Sequence, residues 1–129
     1  MRILLVGLAI VVLAAVAYAR YRPRRAPSAD AQVIEQLRKA GSNLSKPHSI
    51  DFNLDFTDKP SAEAAHSELI GRGYASDMHE IPDAAAWSIT VKKVMLPREA
   101  DIATLGREFS TVASKHNGSY DGWGAEVVP

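Results

Sequence analysis

The segment IDFNLDF at residues 50–56 alternates apolar and polar residues at every position. Successive side chains of a strand face opposite ways, so the apolar residues share one side while Asp51, Asn53 and Asp55 share the other. This alternation predicts a β-strand that is buried on one face and hydrated on the opposite face. The hydrated face is expected to be acidic, because it carries two aspartates.

The patterns on both sides of this strand predict three helices and three further strands. Ser28 or Asp30 is expected to cap a helix that runs to Ala40 and stops at Gly41. The other predicted elements are strands at 74–81 and 87–91, a helix opened by Pro97, a last strand at 119–126, and a helix after Asp58 and Ser61 that buries Ala62, Ala65, Leu69 and Ile70. A helix followed by β-α-β-β-α-β predicts an α+β fold, a ferredoxin-like sandwich with two helices over one face of a four-stranded antiparallel sheet.

The last predicted strand combines two aromatic residues, an acid and two glycines. These residues are Tyr120, Asp121, Gly122, Trp123 and Gly124. An Asp-Gly pair signals a turn or bulge, and each aromatic can bury a large apolar body if one polar atom finds a partner. Two interpretations are open: a glycine-kinked strand whose Trp fills the core, or a preorganised partner-binding edge.

This run also resembles the C-terminal motif of the RraB family, the regulators of ribonuclease E activity. Residues 33–44 and 50–54 resemble the first helix, its stop and the first strand of that family, and residues 64–75 resemble its next unit. The likeness covers residues 31–128. It implies an RraB-like, ferredoxin-like α+β domain at residues 29–129, without a cofactor. It also implies a non-enzymatic regulator that binds and restrains an RNA-degrading endoribonuclease.

The predicted partner-binding site joins this motif to the acidic strand face. Its members are Tyr120, Asp121, Gly122, Trp123, Gly124, Asp51 and Asp55. The whole chain has a formal charge of zero, but five basic residues precede residue 26 and every acid follows residue 29. Residues 26–129 therefore carry 10 minus 15, or −5. An acidic domain is a poor match for a phosphate backbone, so we expect a basic protein partner and no direct nucleic acid.

No catalytic residue and no metal ligand is predicted. Four histidines lie in separate segments without an i, i+4 pair, so each is expected at the surface or its boundary: His48, His66, His79 and His116. Asp51 and Asp55 would be about 13 Å apart along a strand, too far to act on one bond. The chain has no cysteine, which excludes disulfides and thiolate metal sites.

An uncharged run of apolar and small residues occupies residues 3–19. At about 1.5 Å per residue it spans about 25 Å, which is just enough to cross a bilayer core. Its end at Ala17-Tyr18-Ala19 also fits a signal-peptide cleavage site. Residues 1–19 are therefore expected to be a transmembrane anchor, with a cleaved signal peptide as the alternative.

The basic, proline-containing linker at residues 20–28 sets the expected orientation. Its arginines are Arg20, Arg22, Arg24 and Arg25. Positive charge on this side of a retained anchor predicts a single-pass protein whose domain faces the cytoplasm. Cleavage near Ala19 would instead release a secreted or periplasmic domain.

Two alternatives to a nuclease regulator remain at this stage. Lys92 and Lys93 form a basic spot that could join aromatic residues in stacking RNA bases, but the chain lacks the aromatic signature of RNA-binding ferredoxin-like domains. A general membrane-proximal module that binds a protein or a small ligand fits the same composition.

Overall fold

The structure, a computed structural model, describes residues 27–129. The predicted anchor and most of the predicted linker lie outside the described residues. The elements, in chain order, are α1 Ala29–Lys39, β1 His48–Phe56, α2 Lys59–Gly71, β2 Ala75–Ile81, β3 Ala86–Met95, α3 Glu99–Lys115 and β4 Ser119–Ala125. Within residues 27–129, no helix has the length and apolar character that crossing a membrane requires.

The four strands form one antiparallel sheet in the order β2-β3-β1-β4. The central strand β1 pairs with β3 along its whole length, from His48 opposite Met95 to Phe56 opposite Trp87. The predicted α+β class, the β-α-β-β-α-β order after a first helix, and the antiparallel sheet are therefore confirmed.

The apolar side of β1 is the centre of the hydrophobic core. Ile50, Phe52 and Leu54 are fully buried, as the alternating pattern predicts. They pack with buried side chains of α2 and α3, including Leu69 and Phe109, so both helices cover this face of the sheet. Burial of each large apolar side chain contributes about 1.5–3 kcal/mol. The remaining helix, α1, packs against α3.

Side-chain caps begin the first two helices where the sequence predicts them. The Ser28 hydroxyl accepts a hydrogen bond of 3.0 Å from the Ala31 amide, and an Asp58 oxygen accepts one of 2.9 Å from the Ser61 amide. Each cap satisfies one of the backbone donors that the first turn of a helix leaves free.

Two details of the predicted helices are wrong. Ile70 is 53% exposed, because it lies one position, or about 100°, around α2 from the buried Leu69. The last helix begins at Glu99 and not at Pro97, because the intervening Arg98 has an extended backbone and occupies the N-cap position.

Charged side chains join α2 to α3 on the outer surface of the helical layer. Glu68 of α2 accepts hydrogen bonds of 2.8 Å from Lys115 and 2.8 Å from Arg72. Arg72 also reaches Glu108 of α3 at 3.0 Å. Hydrogen bonds from Lys115 and His116 lower the pKa of Glu68 to about 2.

His48 is fully buried, so the prediction of a surface or boundary position is wrong for this histidine. It lies on the apolar side of β1, which begins two residues before the predicted start. Its Nδ1 donates to the Lys46 carbonyl at 2.7 Å, and its Nε2 accepts from the Ser42 hydroxyl at 2.5 Å. The Ser42 oxygen in turn accepts a hydrogen bond of 2.9 Å from the Val128 amide. The loop after α1 therefore holds the C-terminal residues in place.

Candidate functional site

The aromatic residues of the predicted motif lie on the helix-covered side of the sheet. Tyr120 and Trp123 are each opposite a buried residue of β1. Residues three apart on a regular strand would face opposite sides. A β-bulge between these two pairs adds the extra residue that turns both rings the same way. Gly122 lies in the bulge with a φ of 91°, a conformation that favours glycine.

Trp123 packs on the hydrophobic core and is only partly exposed. Its indole Nε1 donates a hydrogen bond of 3.0 Å to Oδ1 of Asp30 in the first turn of α1. The polar atom of this partly buried aromatic is thus satisfied within the domain. This geometry supports the interpretation in which the tryptophan fills the core.

Tyr120 lies beneath α3, where Gly106 leaves room for its ring. A Cβ atom at Gly106 would lie 3.4 Å from that ring. The Tyr120 hydroxyl is buried and has no hydrogen-bond partner among the described residues. Burial, with a smaller effect of the nearby Asp30 charge, raises the pKa of Tyr120 to about 12.

The other side of the sheet is not covered by any of the three described helices, and we call it the open face. Strand pairing and alternation place these residues on it: Asp77 and His79 of β2, Ser88, Thr90 and Lys92 of β3, Asp51, Asn53 and Asp55 of β1, and Asp121 and Gly124 of β4. The hydrated, acidic side that the sequence predicts for β1 is therefore confirmed. The predicted site is divided between the two faces: its acids and Gly124 lie on the open face, and its aromatics lie on the other.

Asp55 and Asp121 bring two carboxyl groups together at the border of β1 and β4. Burial, the Asp121 charge and a hydrogen bond with Asp121 raise the pKa of Asp55, while hydrogen bonding from Ser88 and the charge of His79 act in the opposite direction. Two neighbouring carboxylates repel each other when both are ionised. A cation placed between them would remove that repulsion.

A shallow depression of about 500 Å³ lies on the same face, around Asp51 and Asn53 of β1. Its lining includes Asp51 of β1, Lys92 of β3, and Gly124 and Glu126 at the end of the chain. A Cβ atom at Gly124 would meet nothing within 4 Å, so the glycine leaves open space next to Asp51.

All the acids that form ion pairs within residues 27–129 are glutamates of the helices, and other helical acids form none. Within residues 27–129, Asp51, Asp55, Asp77 and Asp121 form no ion pair, although Glu35, Glu63, Glu68 and Glu108 on the helices all do. The described residues also include no group of three or more acids and histidines arranged to hold a metal ion. The open face carries four aspartates and one lysine, Lys92, which lies opposite Asp51 without forming an ion pair among the described residues, so the net charge of this face is negative.

Comparison with known protein families classifies this domain. Residues 28–125 match the family model for RraB, regulator of ribonuclease activity B. The chain belongs to the RraB family. Comparison with curated protein sequences gives no significant match. The RraB match confirms the resemblance that the C-terminal motif indicates, and it ends at the last residue of β4.

The RraB motif alone does not identify the whole open face. Asp77 and Asp121 enter it because β3 and β1 lie between β2 and β4 and place all four strands in one sheet. The weak alternation of β2 gives little indication of which side Asp77 faces. The role of Tyr120, Asp121, Gly122, Trp123, Gly124, Asp51 and Asp55 in partner binding stays a prediction.

Proposed function

We propose that the chain is a non-enzymatic regulator that binds an endoribonuclease of the ribonuclease E type and restrains it by occupying a site on it. The observation that carries this proposal is the acidic, uncovered open face in a domain of a family of ribonuclease regulators. A regulator that works by occupancy needs a stable surface and no catalytic group.

The two faces of the sheet have different roles in this proposal. Tyr120 and Trp123 stabilise the position of β4 from the helical side. Asp51, Asp55 and Asp121 form the binding surface on the open face, where charge complementarity steers a basic partner. The aromatic residues would then affect binding through stability and not through contact.

The proposal includes membrane tethering by residues 3–19, with the domain on the cytoplasmic side. Its support is the apolar run and the arginines that follow it in the sequence. Reporter fusions after Pro129 should be active with a cytoplasmic reporter and inactive with a periplasmic one. N-terminal sequencing that finds mature protein starting at Arg20 would contradict both the tether and contact with a cytoplasmic nuclease.

Titration of nuclease activity tests the regulator itself. Purified ribonuclease E is assayed on an RNA substrate while the full-length chain, held in nanodiscs of uncharged lipid, is added in steps. Inhibition should saturate near one chain per binding site, whereas an enzyme would act at trace ratios and show turnover. Empty nanodiscs are the control. Absence of binding at low salt, with the domain shown to be folded, would favour a membrane-proximal module with another partner.

A further inference from the structure

We infer that the open face binds an extended, arginine-rich segment of the nuclease, the same kind of segment that holds RNA, so that the chain and RNA compete for it. This inference rests on the proposed function and specifies the contact that it uses.

The open face is small. Four strands about 4.8 Å apart and seven residues of about 3.3 Å each give an area on the order of 450 Å². A stable interface between globular proteins buries about 800 Å² on each partner. This footprint is below the area that a globular partner covers, and its length fits a single extended segment of about seven residues. A second copy would also bring acid against acid.

The arrangement of two acids on the open face favours a guanidinium group between them. Asp55 and Asp121 lie on the open face at the border of β1 and β4, and within residues 27–129 neither of them forms an ion pair. A guanidinium group carries five donors in a planar fork and binds two carboxylate oxygens at once. An arginine between Asp55 and Asp121 would satisfy both.

Open space lies next to Asp51, four residues along β1 from Asp55. The depression at Asp51 is open because Gly124 has no side chain, so a long side chain can lie across β4 there. A strand repeats its side-chain direction every two residues, at about 6.6 Å. Asp51 and Asp55 are four residues apart on β1, so an extended segment can direct one cationic side chain to each of them.

The partner's chemistry connects this surface to RNA. Proteins hold a phosphate backbone through clustered Lys and Arg. The carboxylates of Asp51, Asp55 and Asp121 offer anionic oxygens to the same cationic side chains. An arginine-rich segment seated on the open face is unavailable to RNA. The regulator would then act as a competitor of the substrate at that segment.

A labelled peptide probe tests the surface without the nuclease. The probe is a twelve-residue peptide of alternating arginine and serine, and its control has citrulline, which is uncharged, in place of arginine. Binding to the full-length chain in nanodiscs of uncharged lipid is followed by fluorescence anisotropy at low salt. The arginine peptide should bind and the citrulline peptide should not; failure of the arginine peptide to bind overturns the inference.

Two triple variants with the same change in net charge locate the site. The open-face triple is Asp51→Asn, Asp55→Asn and Asp121→Asn, and the control triple is Glu63→Gln, Glu80→Gln and Asp101→Asn, whose exposed side chains lie away from the open face. The open-face triple should weaken peptide binding by roughly tenfold or more, because it loses charge-assisted hydrogen bonds. The control triple should change it by less than about threefold, because exposed charges act only through screened steering. Equal losses in both triples overturn the inference.

Competition on the nuclease separates this inference from the proposed function. Chain binding to purified ribonuclease E should fall as an RNA oligonucleotide is added, in proportion to RNA occupancy. A nuclease that binds chain and RNA together leaves the regulator proposal standing and overturns the inference. The nuclease could fail to bind the chain while the arginine peptide still binds the control triple more tightly than the open-face triple. This result overturns the regulator proposal and supports the surface chemistry.

Discussion

The indole Nε1 of Trp123 donates a hydrogen bond of 3.0 Å to Oδ1 of Asp30, and this bond joins the last strand to the first helix. The two residues are 93 positions apart in the chain. Asp30 also lies in the first turn of α1, where a negative charge interacts favourably with the helix dipole. The contact therefore connects α1 to the strand that carries the motif.

Asp30→Ala should destabilise the domain by about 1–3 kcal/mol, because it leaves the partly buried indole N–H without an acceptor. Asp30→Asn keeps an oxygen at this position and removes the charge, so it should cost less than half as much. Urea unfolding of both variants measures the difference. If Asn proves as destabilising as Ala, the charge matters and the hydrogen bond does not.

Tyr120→Phe should leave the free energy of unfolding unchanged or raise it, because the hydroxyl that it removes is buried without a partner. Tyr74→Phe is the matched control, since the Tyr74 hydroxyl donates to Glu108 at 2.6 Å and its loss should cost about 1 kcal/mol. Thermal melts of the two variants give the comparison. A large loss in Tyr120→Phe alone would reveal a hydrogen bond to that hydroxyl.

Gly118→Ala should destabilise the domain by about 1–3 kcal/mol through overpacking. A Cβ atom there would overlap the Phe56 ring and lie 2.7 Å from the Asp55 carbonyl oxygen. Gly71→Ala is the control, because nothing lies within 4 Å of the atom that it adds at the end of α2. Chemical denaturation should separate the two, and equal stability of both variants would contradict this packing.

The ionisation of Glu68 should make the stability of the domain depend on pH below the ordinary pKa of a glutamate. Its pKa is 4.5 without partners and about 2 in the folded domain, where Lys115 and His116 bond to it. The lowered pKa means that ionised Glu68 stabilises the fold above pH 4.5, and that this contribution is lost as the pH falls to about 2. Melting temperatures measured between these pH values should therefore fall less steeply in Glu68→Gln than in the parent. Glu63→Gln, which removes an acid whose side chain is 55% exposed, should keep the steep fall of the parent.

The fold follows from sequence wherever one local rule decides the outcome. Alternation in β1 fixes which side is buried, and Ser28 and Asp58 mark the starts of two helices through their short oxygen-bearing side chains. The predicted burial of Ile70 is wrong because apolar character alone does not tell which side of α2 a residue faces. The burial of His48 depends on hydrogen bonds to Ser42 and Lys46, which no periodic pattern encodes.

The candidate site follows from sequence only in part, because it depends on strand pairing. Asp-Gly signals an irregularity at residues 121 and 122, but the bulge's effect on Trp123 depends on where β4 meets β1. The contact between Asp55 and Asp121 has the same origin, since the two residues lie on strands from opposite ends of the domain. Local sequence patterns therefore identify the motif residues but do not assign them to the two sides of the sheet.

The bulge at Gly122 also affects how this sheet can associate with others. An edge strand with regular backbone groups is a template for pairing with a further chain, and a bulge interrupts that regularity. β4 is the edge with the bulge, whereas β2, at the other edge, pairs with β3 residue by residue without a shift. Intermolecular strand addition and aggregation are therefore disfavoured along β4, next to the acids of the open face, and are left to β2.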